Sequence, residues 1–493
     1  MNEQHVLQFS TSPWALAAFA GYLAIIIGVG VYAARFASQG LTEFFLGGRK
    51  LKSFVVALSA VTSGRSAWLI VGVTGMAYAR GLSAVWSVVG YIAAELIMFL
   101  TVAVKLRQQT EAMGDVTLPD FFESRFTDSR NLLRLVSSVI ILLFMVIYVA
   151  AQFDAGGKTF SASFGISHFE GVLVTALIVW LYTLLGGFLA VALTDVVQAV
   201  FMLTGLMLLP VIAIADFGGL GAVWSSVSAQ DMLLLDPFAL TLGALIGFLG
   251  IGLGSTGNPH IIVRYMSIER AEQLRRSAFY GTVWNVLMAG GAIFIGLAGR
   301  AYFPDQAVLP NADTENLFPY LAQLHLHPFL FGLVIAAIMA AIMSTADSQL
   351  LVATSSLIRD IYQKLLLKGK DLDQRKLVLM SRMAISVLVV AAIGLREIAS
   401  DLVFWLVLFA WGGLGASFGP ALILSLYWKG VNKWGVLAGF VSGTTITIIW
   451  NQTPVLKNAV YELVPAFFIS LILVIIVSKL TGAKESRHES YIT

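Results

Sequence analysis

Nine residues, Ala60-Val61-Thr62-Ser63-Gly64-Arg65-Ser66-Ala67-Trp68, interrupt an apolar run that extends from about Phe54 to Tyr78. A guanidinium near the middle of a membrane costs about 2.5–3.5 kcal/mol on insertion scales, so Arg65 is not expected there without a partner or a function. A membrane helix that breaks at Thr62-Ser63-Gly64 leaves carbonyl and N–H groups free to coordinate an ion or the head group of a solute. The stretch therefore predicts the binding site of a secondary transporter inside a broken membrane helix.

The composition is that of a membrane protein. Of the 493 residues, 58% are hydrophobic and 12% are charged, and the mean hydropathy is +0.85. Soluble proteins carry about 25% charged residues. The chain has no cysteine, which excludes disulfides, thiolate metal sites and cysteine nucleophiles.

Thirteen stretches have about the 20 apolar residues that a helix needs to cross a bilayer. We predict an all-α polytopic membrane protein that forms a single transmembrane domain over residues 1–493. The predicted spans are 14–34, 53–79, 82–104, 131–161, 169–187, 190–214, 237–262, 277–301, 328–357, 378–396, 402–427, 433–450 and 458–479. Because thirteen is odd, we expect the two termini on opposite sides of the membrane.

The basic residues predict the orientation. Four of the 31 lysines and arginines lie in the loops on one side: Arg80, Arg300, Arg396 and Lys457. Arg65 and Lys158 fall inside spans, and the other 25, with Arg264 counted among them, lie in the loops on the opposite side. Cytoplasmic loops carry the excess of lysine and arginine. We therefore expect the N-terminus outside and the C-terminus in the cytoplasm, in a bacterial-type inner membrane.

The seventh predicted span is also interrupted, by Gly250-Ile251-Gly252-Leu253-Gly254-Ser255-Thr256-Gly257-Asn258-Pro259. Ten residues with four glycines and a proline do not hold a continuous helix. The interrupted spans are five apart, so the units that contain them, 53–214 and 237–427, run in opposite directions. Paired interrupted spans in such inverted repeats indicate the binding site of a transporter. The alternative is that the glycines only allow close helix packing.

Five motifs resemble the sodium:solute symporter family, and its sodium/proline symporter branch in particular. They are Phe44-Phe45-Leu46-Gly47-Gly48-Arg49, Thr117-Leu118-Pro119-Asp120-Phe121-Phe122, Gly186-Gly187-Phe188-Leu189-Ala190-Val191-Ala192-Leu193-Thr194-Asp195, Gly257-Asn258-Pro259-His260 and Met343-Ser344-Thr345-Ala346-Asp347-Ser348. The resemblance runs from about residue 14 to 480. It implies a LeuT-type 5+5 inverted-repeat core of spans 2–11, with peripheral helices at 14–34 and 433–479.

In that family a sodium ion lies between the broken second span and the ninth span. The resemblance implies that its ligands are the carbonyls of Thr62, Arg65 and Ala341 and the hydroxyls of Ser344 and Thr345. It also implies that Asp195 is associated with sodium on the path to the cytoplasm. For the two hydroxyls, the alternative is hydrogen bonding to the preceding turn of their own helix.

The substrate-binding positions follow the resemblance only in part. The family pattern is retained at Ser66, Trp68, Tyr148 and Pro259. Ile251 and Ser255 occupy the positions of an aromatic pair in the sodium/proline symporters. Gln152 lies four residues after Tyr148, so both side chains can face one cavity. We expect a small organic solute, an amino acid or a related compound, whereas the loss of two aromatic walls argues against assuming proline itself.

The main departure lies beside the expected sodium site. The sodium/proline symporters have an aspartate at the position of Gly64 and an uncharged residue at that of Arg65. A fixed positive charge a few ångströms from sodium repels it by several kcal/mol at an intermediate dielectric constant. Glu95 and Asp195 are the candidate acids that could neutralise Arg65.

Three roles of Arg65 stay open. It can form a buried ion pair with Glu95 or Asp195 that only holds helices together. It can stand in for sodium, so that transport is independent of sodium and coupled to protons through one of these acids. In the third case its side chain turns aside and sodium coupling is retained.

Other classes of protein fit the sequence less well. A sensor built on a transporter fold is the alternative function, but only fourteen residues follow Lys479, too few for a signalling domain. The six histidines, His260 included, lie at loops or span ends without metal-ligand spacing, so we do not expect an enzyme. No filter repeat or Walker motif is present. The expected partners are a small organic solute and membrane lipid, with no nucleic acid, and the oligomeric state stays open.

Overall fold

A computed structural model describes residues 12–34, 40–368, 373–395 and 402–489, and these residues are mostly helical. The end of the predicted tenth span, Arg396, lies outside the described residues. In chain order the helices are α1 Pro13–Ala34, α2 Leu41–Leu46, α3 Ser53–Ala67, α4 Thr74–Arg80, α5 Val85–Leu100, α6 Val102–Met113, α7 Leu118–Phe126, α8 Leu132–Phe164, α9 His168–Asp216, α10 Leu220–Gln230, α11 Leu242–Gly250, α12 Pro259–Ser267, α13 Leu274–Tyr302, α14 Leu317–His325, α15 Pro328–Ser355, α16 Gln374–Gly394, α17 Val403–Tyr427, α18 Lys433–Gln452, α19 Pro454–Ala459 and α20 Leu463–Glu489.

Nine of the described helical segments are long and apolar enough to cross a membrane. One of them, Ser53–Leu100, has 48 residues and contains the second predicted span and most of the third. Two shorter apolar helices, His168–Leu184 and Leu242–Thr256, coincide with parts of the fifth and seventh. The all-helical, multi-pass architecture is confirmed, whereas the count of thirteen spans stays a prediction.

The second predicted span is broken at Ser66, two residues after the predicted Thr62-Ser63-Gly64. Ser66 has φ 50° and ψ −171° inside an otherwise helical segment, a backbone conformation that is costly for a residue with a side chain. The chain then continues through a π-helical segment, Trp68–Val73, into α4. The Trp68 N–H donates to Ser66 Oγ at 3.0 Å, and the Ala67 N–H donates to Gln152 Oε1 at 3.1 Å. Side chains thus satisfy N–H groups at the break.

The seventh predicted span is broken as well. Helix α11 ends at Gly250 and is followed by a tight 3₁₀ turn at Ile251–Thr256. Helix α12 begins at Pro259. A proline is tolerated at the first position of a helix because the backbone N–H there has no partner within the helix. The Asn258 amide donates to the carbonyls of Gly254 at 2.7 Å and Trp411 at 3.2 Å, which ties the break to α17. Both predicted breaks are therefore present.

Gly254 shows that close packing and helix breakage occur together in this span. A Cβ atom added to Gly254 would lie 1.8 Å from Trp411 Nε1. That indole nitrogen donates to the Ile251 carbonyl at 2.8 Å, so the ring cannot move away without losing a buried hydrogen bond. The glycine is thus required by the approach of α17 to the break.

We expect Gly254→Ala to lower the thermal unfolding temperature of the detergent-solubilised protein, because overpacking costs about 1–3 kcal/mol. The matched control is Gly290→Ala in α13, where nothing lies within 4 Å of the added Cβ. This control should be neutral or stabilising, because alanine has the higher helix propensity. Equal unfolding temperatures of the two variants would contradict the packing argument.

Helix α15 occupies the centre of the fold and packs against α1, α3, α8 and α9. Helix α9 runs through the fifth and sixth predicted spans, with a kink at Gly187 (φ 59°). Helices α18 and α20 pack against each other and against α17. This arrangement places the middle of α15 directly beside α3, the helix that ends at the first break.

Candidate functional site

A narrow cavity of about 10 Å³, with room for about one water molecule, lies between the two breaks. It is lined by Gly64, Arg65, Trp68, Tyr91, Tyr148, Ile251, Val407, Leu408 and Trp411. Three of the predicted substrate positions, Trp68, Tyr148 and Ile251, are among these residues. Arg65 lines the cavity too, although the sequence analysis assigned it only to the ion site.

The other predicted substrate residues lie around the breaks and do not line this cavity. Ser66 and Gln152 bind backbone N–H groups at the first break, as described above. Ser255 is fully buried in the tight turn of the second break. Pro259 lines a different cavity, of about 20 Å³, that extends toward α7 and the end of α15.

The Arg65 guanidinium is neutralised by Glu95. The two side chains form an ion pair, and they are only 1% and 2% exposed. Arg65 Nε donates to Asn285 Oδ1 at 2.7 Å, and the Asn285 amide donates to Glu95 at 2.6 Å. The guanidinium carbon lies 3.7 Å above the centre of the Tyr91 ring. Of the two candidate acids, Glu95 is thus the one that contacts Arg65, and the side chain extends toward α5 and α13.

The predicted sodium ligands of α3 and α15 lie close together. Ser344 Oγ lies 3.1 Å from the Ala341 carbonyl oxygen and 3.5 Å from that of Thr62. Thr345 Oγ1 donates to the Ser63 carbonyl at 3.0 Å, and the Arg65 carbonyl accepts the Trp68 N–H. The contact with Ala341 is the bond to the preceding turn that the alternative interpretation expected. The contacts with α3, however, go beyond this local bonding.

Asp195 pairs with Arg264 and not with Arg65. Arg264 Nη2 lies 2.8 Å from Asp195, 2.5 Å from Ser63 Oγ and 2.6 Å from Ser348 Oγ. Arg264 Nε donates to Ser59 Oγ at 2.7 Å, and both charged side chains are fully buried. The guanidinium of α12 therefore joins α3, α9 and α15 beside the candidate ion site.

The positions predicted for Arg264 and His260 were wrong. Arg264 was predicted to lie in a loop, because the seventh apolar stretch ends at residue 262, but all nine residues of α12 are buried. The His260 ring lies 6.0 Å from the Tyr148 ring and 6.3 Å from the Trp411 ring, at the second break. The helix-starting Pro259, followed by three apolar residues before Arg264, was the signal that could have indicated a buried helix.

A larger cavity of about 300 Å³ adjoins the central one, and we call it the vestibule. It contains Arg80 and Glu462, and it shares Ile251 and Leu408 with the central cavity. The cavity near α7 shares no lining residue with the central cavity. The central cavity therefore adjoins the side of the molecule where α4 ends at Arg80.

Buried ion pairs join helices on the side away from the vestibule. Arg134 at the start of α8 lies 2.7 Å from Asp120 in α7 and 2.5 Å from Asp360, which follows α15. Arg359 lies 2.7 Å from the other oxygen of Asp120. Burial raises the pKa of Asp120, but the guanidiniums of Arg359 and Arg134 outweigh this and hold that pKa below its usual range. The three segments are thus linked by charged groups.

Comparison with known proteins supplies both sequence and fold relatives. The family model described as "Sodium:solute symporter family" matches residues 44–443. A sodium/proline symporter of Staphylococcus aureus (strain JH9) is 38% identical over 476 residues, covering 93% of this chain and 91% of the relative.

Three solved structures share the fold. A Na⁺-coupled sialic acid symporter in a substrate-bound outward-open state superposes with a TM-score of 0.80 at 20% identity, covering 95% of this chain and 98% of the other. MhsT in complex with L-phenylalanine gives 0.56 at 13% identity, with coverages of 86% and 97%. Mhp1, a nucleobase-cation-symport-1 family transporter, gives 0.53 at 13% identity, with coverages of 90% and 96%. The predicted LeuT-type fold is therefore confirmed.

Proposed function

The chain belongs to the sodium:solute symporter family, and we propose that it imports a small organic solute by alternating access, coupled to sodium. The family consists of transporters, so the chain is a membrane transporter and not an enzyme. The solute we propose is an amino acid or a related compound, because the Staphylococcus aureus relative is a sodium/proline symporter. Ile251 lies in the cavity wall, where the resemblance to the sodium/proline symporters implies an aromatic residue, and this difference supports a solute other than proline.

The direction of the Arg65 side chain supports sodium coupling over the substitution of sodium by Arg65. The guanidinium is held by Glu95 and Asn285, on the α5 and α13 side of the break. The Ser344 and Thr345 hydroxyls lie on the α15 side, and their hydrogen-bond partners in the described structure are backbone carbonyls. A cluster of uncharged oxygens suits a hard monovalent cation. Among the three roles considered for Arg65, we therefore favour the one in which it is turned aside.

The cavities support the alternating-access part of the proposal. In the predicted orientation, Arg80 and the vestibule face the outside, so the central cavity adjoins the external solution. The pairs of Arg134 with Asp120 and Asp360 lie on the predicted cytoplasmic side. We propose that these pairs separate when the transporter opens inward. In the orientation that we propose, the chain lies in a bacterial-type inner membrane with its N-terminus outside and its C-terminus in the cytoplasm.

Uptake into proteoliposomes tests the coupling ion. A panel of radiolabelled amino acids and small organic acids is offered under an inward sodium gradient, an equal potassium gradient or an inward proton gradient. We expect accumulation only with sodium, and protein-free liposomes provide the leak control. Equal accumulation without sodium, driven by the proton gradient, would favour Arg65 as an ion surrogate and overturn the sodium proposal.

A further inference from the structure

Arg65 has hydrogen-bonding capacity that its protein partners do not use. A guanidinium carries five N–H groups. Nε donates to Asn285 and Nη2 donates to Glu95. Nη1 has one contact, at 3.3 Å, with the carbonyl of the preceding residue, Gly64. Because Arg65 lines the central cavity, its unused N–H groups are available at the cavity wall.

Three further donors line the same cavity without a partner among the described residues: the Tyr148 hydroxyl and two groups close to Arg65. Trp68 Nε1 and the Tyr91 hydroxyl are buried, and neither has a hydrogen-bond partner within the described part of the chain. Buried donors are rarely left without an acceptor, so such groups at a cavity wall are available to a ligand that accepts from them. Both belong to the environment of Arg65, since Tyr91 stacks under its guanidinium and packs against Trp68 with ring centres 5.5 Å apart.

Among the residues that the structure describes, no acidic side chain lines the central cavity. The Glu95 carboxylate is directed to Arg65 and Asn285. The rest of the wall is aliphatic or aromatic, with Val407, Leu408 and Trp411 from α17. The wall therefore offers a positive group and neutral donors to an anionic group, and apolar surface to the body of the ligand.

We propose that the central cavity binds the carboxylate group of the solute, with Arg65 and the donors of Trp68 and Tyr91 as its partners. Guanidinium and carboxylate form paired, charge-assisted hydrogen bonds, which are about twice as strong as neutral ones. The solute is therefore a small carboxylate, either an amino acid or an organic acid without an amino group. This inference rests on the proposed function and names the chemical group that the transporter recognises.

Binding to the purified full-length protein tests this proposal without transport. Isothermal titration calorimetry in sodium buffer compares L-proline, L-alanine and propionate with L-prolinamide, L-alaninamide and propionamide. At least one acid is expected to bind at least tenfold more tightly than its amide. Binding of propionate would show that the carboxylate suffices, and binding of the amino acids alone would add a role for the amino group; both support the assignment.

Three variants test which residues bind the carboxylate. Trp68→Phe keeps an aromatic ring and removes one donor, so it should weaken acid binding about tenfold. Arg65→Gln/Glu95→Gln leaves no unpaired charge and should reduce the preference for the acid to less than threefold. In Glu95→Gln the guanidinium remains, so the preference should be kept.

The outcomes separate this proposal from the proposed function. Amides that bind within about threefold of their acids would overturn the carboxylate assignment alone, and transport of a neutral solute would remain. An acid preference that persists in Arg65→Gln/Glu95→Gln would assign the carboxylate to another site. If no compound of the panel binds, the amino acid or organic acid class fails, and both proposals fall together.

Discussion

Arg65→Ala is expected to lower the unfolding temperature markedly and to reduce solute uptake to the level of protein-free liposomes. The variant leaves the Glu95 carboxylate almost fully buried, with Asn285 as its remaining partner. Removing one member of a buried ion pair costs about 3–5 kcal/mol, a large share of the stability of an ordinary domain. It also removes the positive group from the cavity wall. Thermal unfolding in detergent and uptake in proteoliposomes measure the two effects.

Two controls separate the buried charge from the loss of a side chain. Arg276→Ala removes an exposed arginine of α13 and should change neither measurement. Arg65→Gln/Glu95→Gln removes both charges and should recover most of the unfolding temperature, since the penalty arises from the unpaired carboxylate. An Arg65→Ala protein as stable as Arg276→Ala would show that the ion pair contributes little to the fold.

Ser344→Ala/Thr345→Ala is expected to raise the sodium concentration for half-maximal uptake by at least about tenfold. Each hydroxyl would contribute an oxygen to the ion, and contacts with a charged group are worth about 1.5–3 kcal/mol. A tenfold change corresponds to about 1.4 kcal/mol, so the estimate is a lower bound. Uptake of a fixed solute concentration over a range of sodium concentrations measures the effect.

The control is Thr204→Ala in α9. Thr204 is exposed and its hydroxyl donates at 2.8 Å to the Val200 carbonyl one turn earlier. It therefore makes the local bond that the alternative interpretation assigns to Ser344 and Thr345. We expect no change in sodium dependence for this variant. If the double variant behaves like Thr204→Ala, the two hydroxyls serve only their own helix and the ion lies elsewhere.

The two breaks could be predicted from the sequence because the signal is local. Glycine, proline and hydroxyl residues at Gly250–Pro259 weaken any helix, whatever surrounds it. The exact point of the first break was not predictable to the residue. Ser66 has an unfavourable φ, and it is supported by Gln152 from α8, which is distant in the chain. Contacts of this kind are not visible in a local pattern.

The partner of Arg65 illustrates what the sequence could not decide. Glu95 and Asp195 were both acids inside predicted spans, and the sequence left both open as partners of Arg65. Rotation of a helix about its own axis determines which neighbour a side chain meets, and packing sets that rotation. In the structure Glu95 of α5 faces Arg65, while Asp195 faces Arg264, whose helix α12 packs against α3.

By itself, the sequence determined the membrane class, the family and the two broken spans, because hydropathy, contiguous motifs and helix-breaking residues are properties of short segments. Only the tertiary structure decided that Arg65 lies in the cavity wall paired with Glu95, and that Arg264 is buried beside Asp195. The physical reason is that a buried charge is satisfied by whichever groups the packing of distant helices brings within about 3 Å.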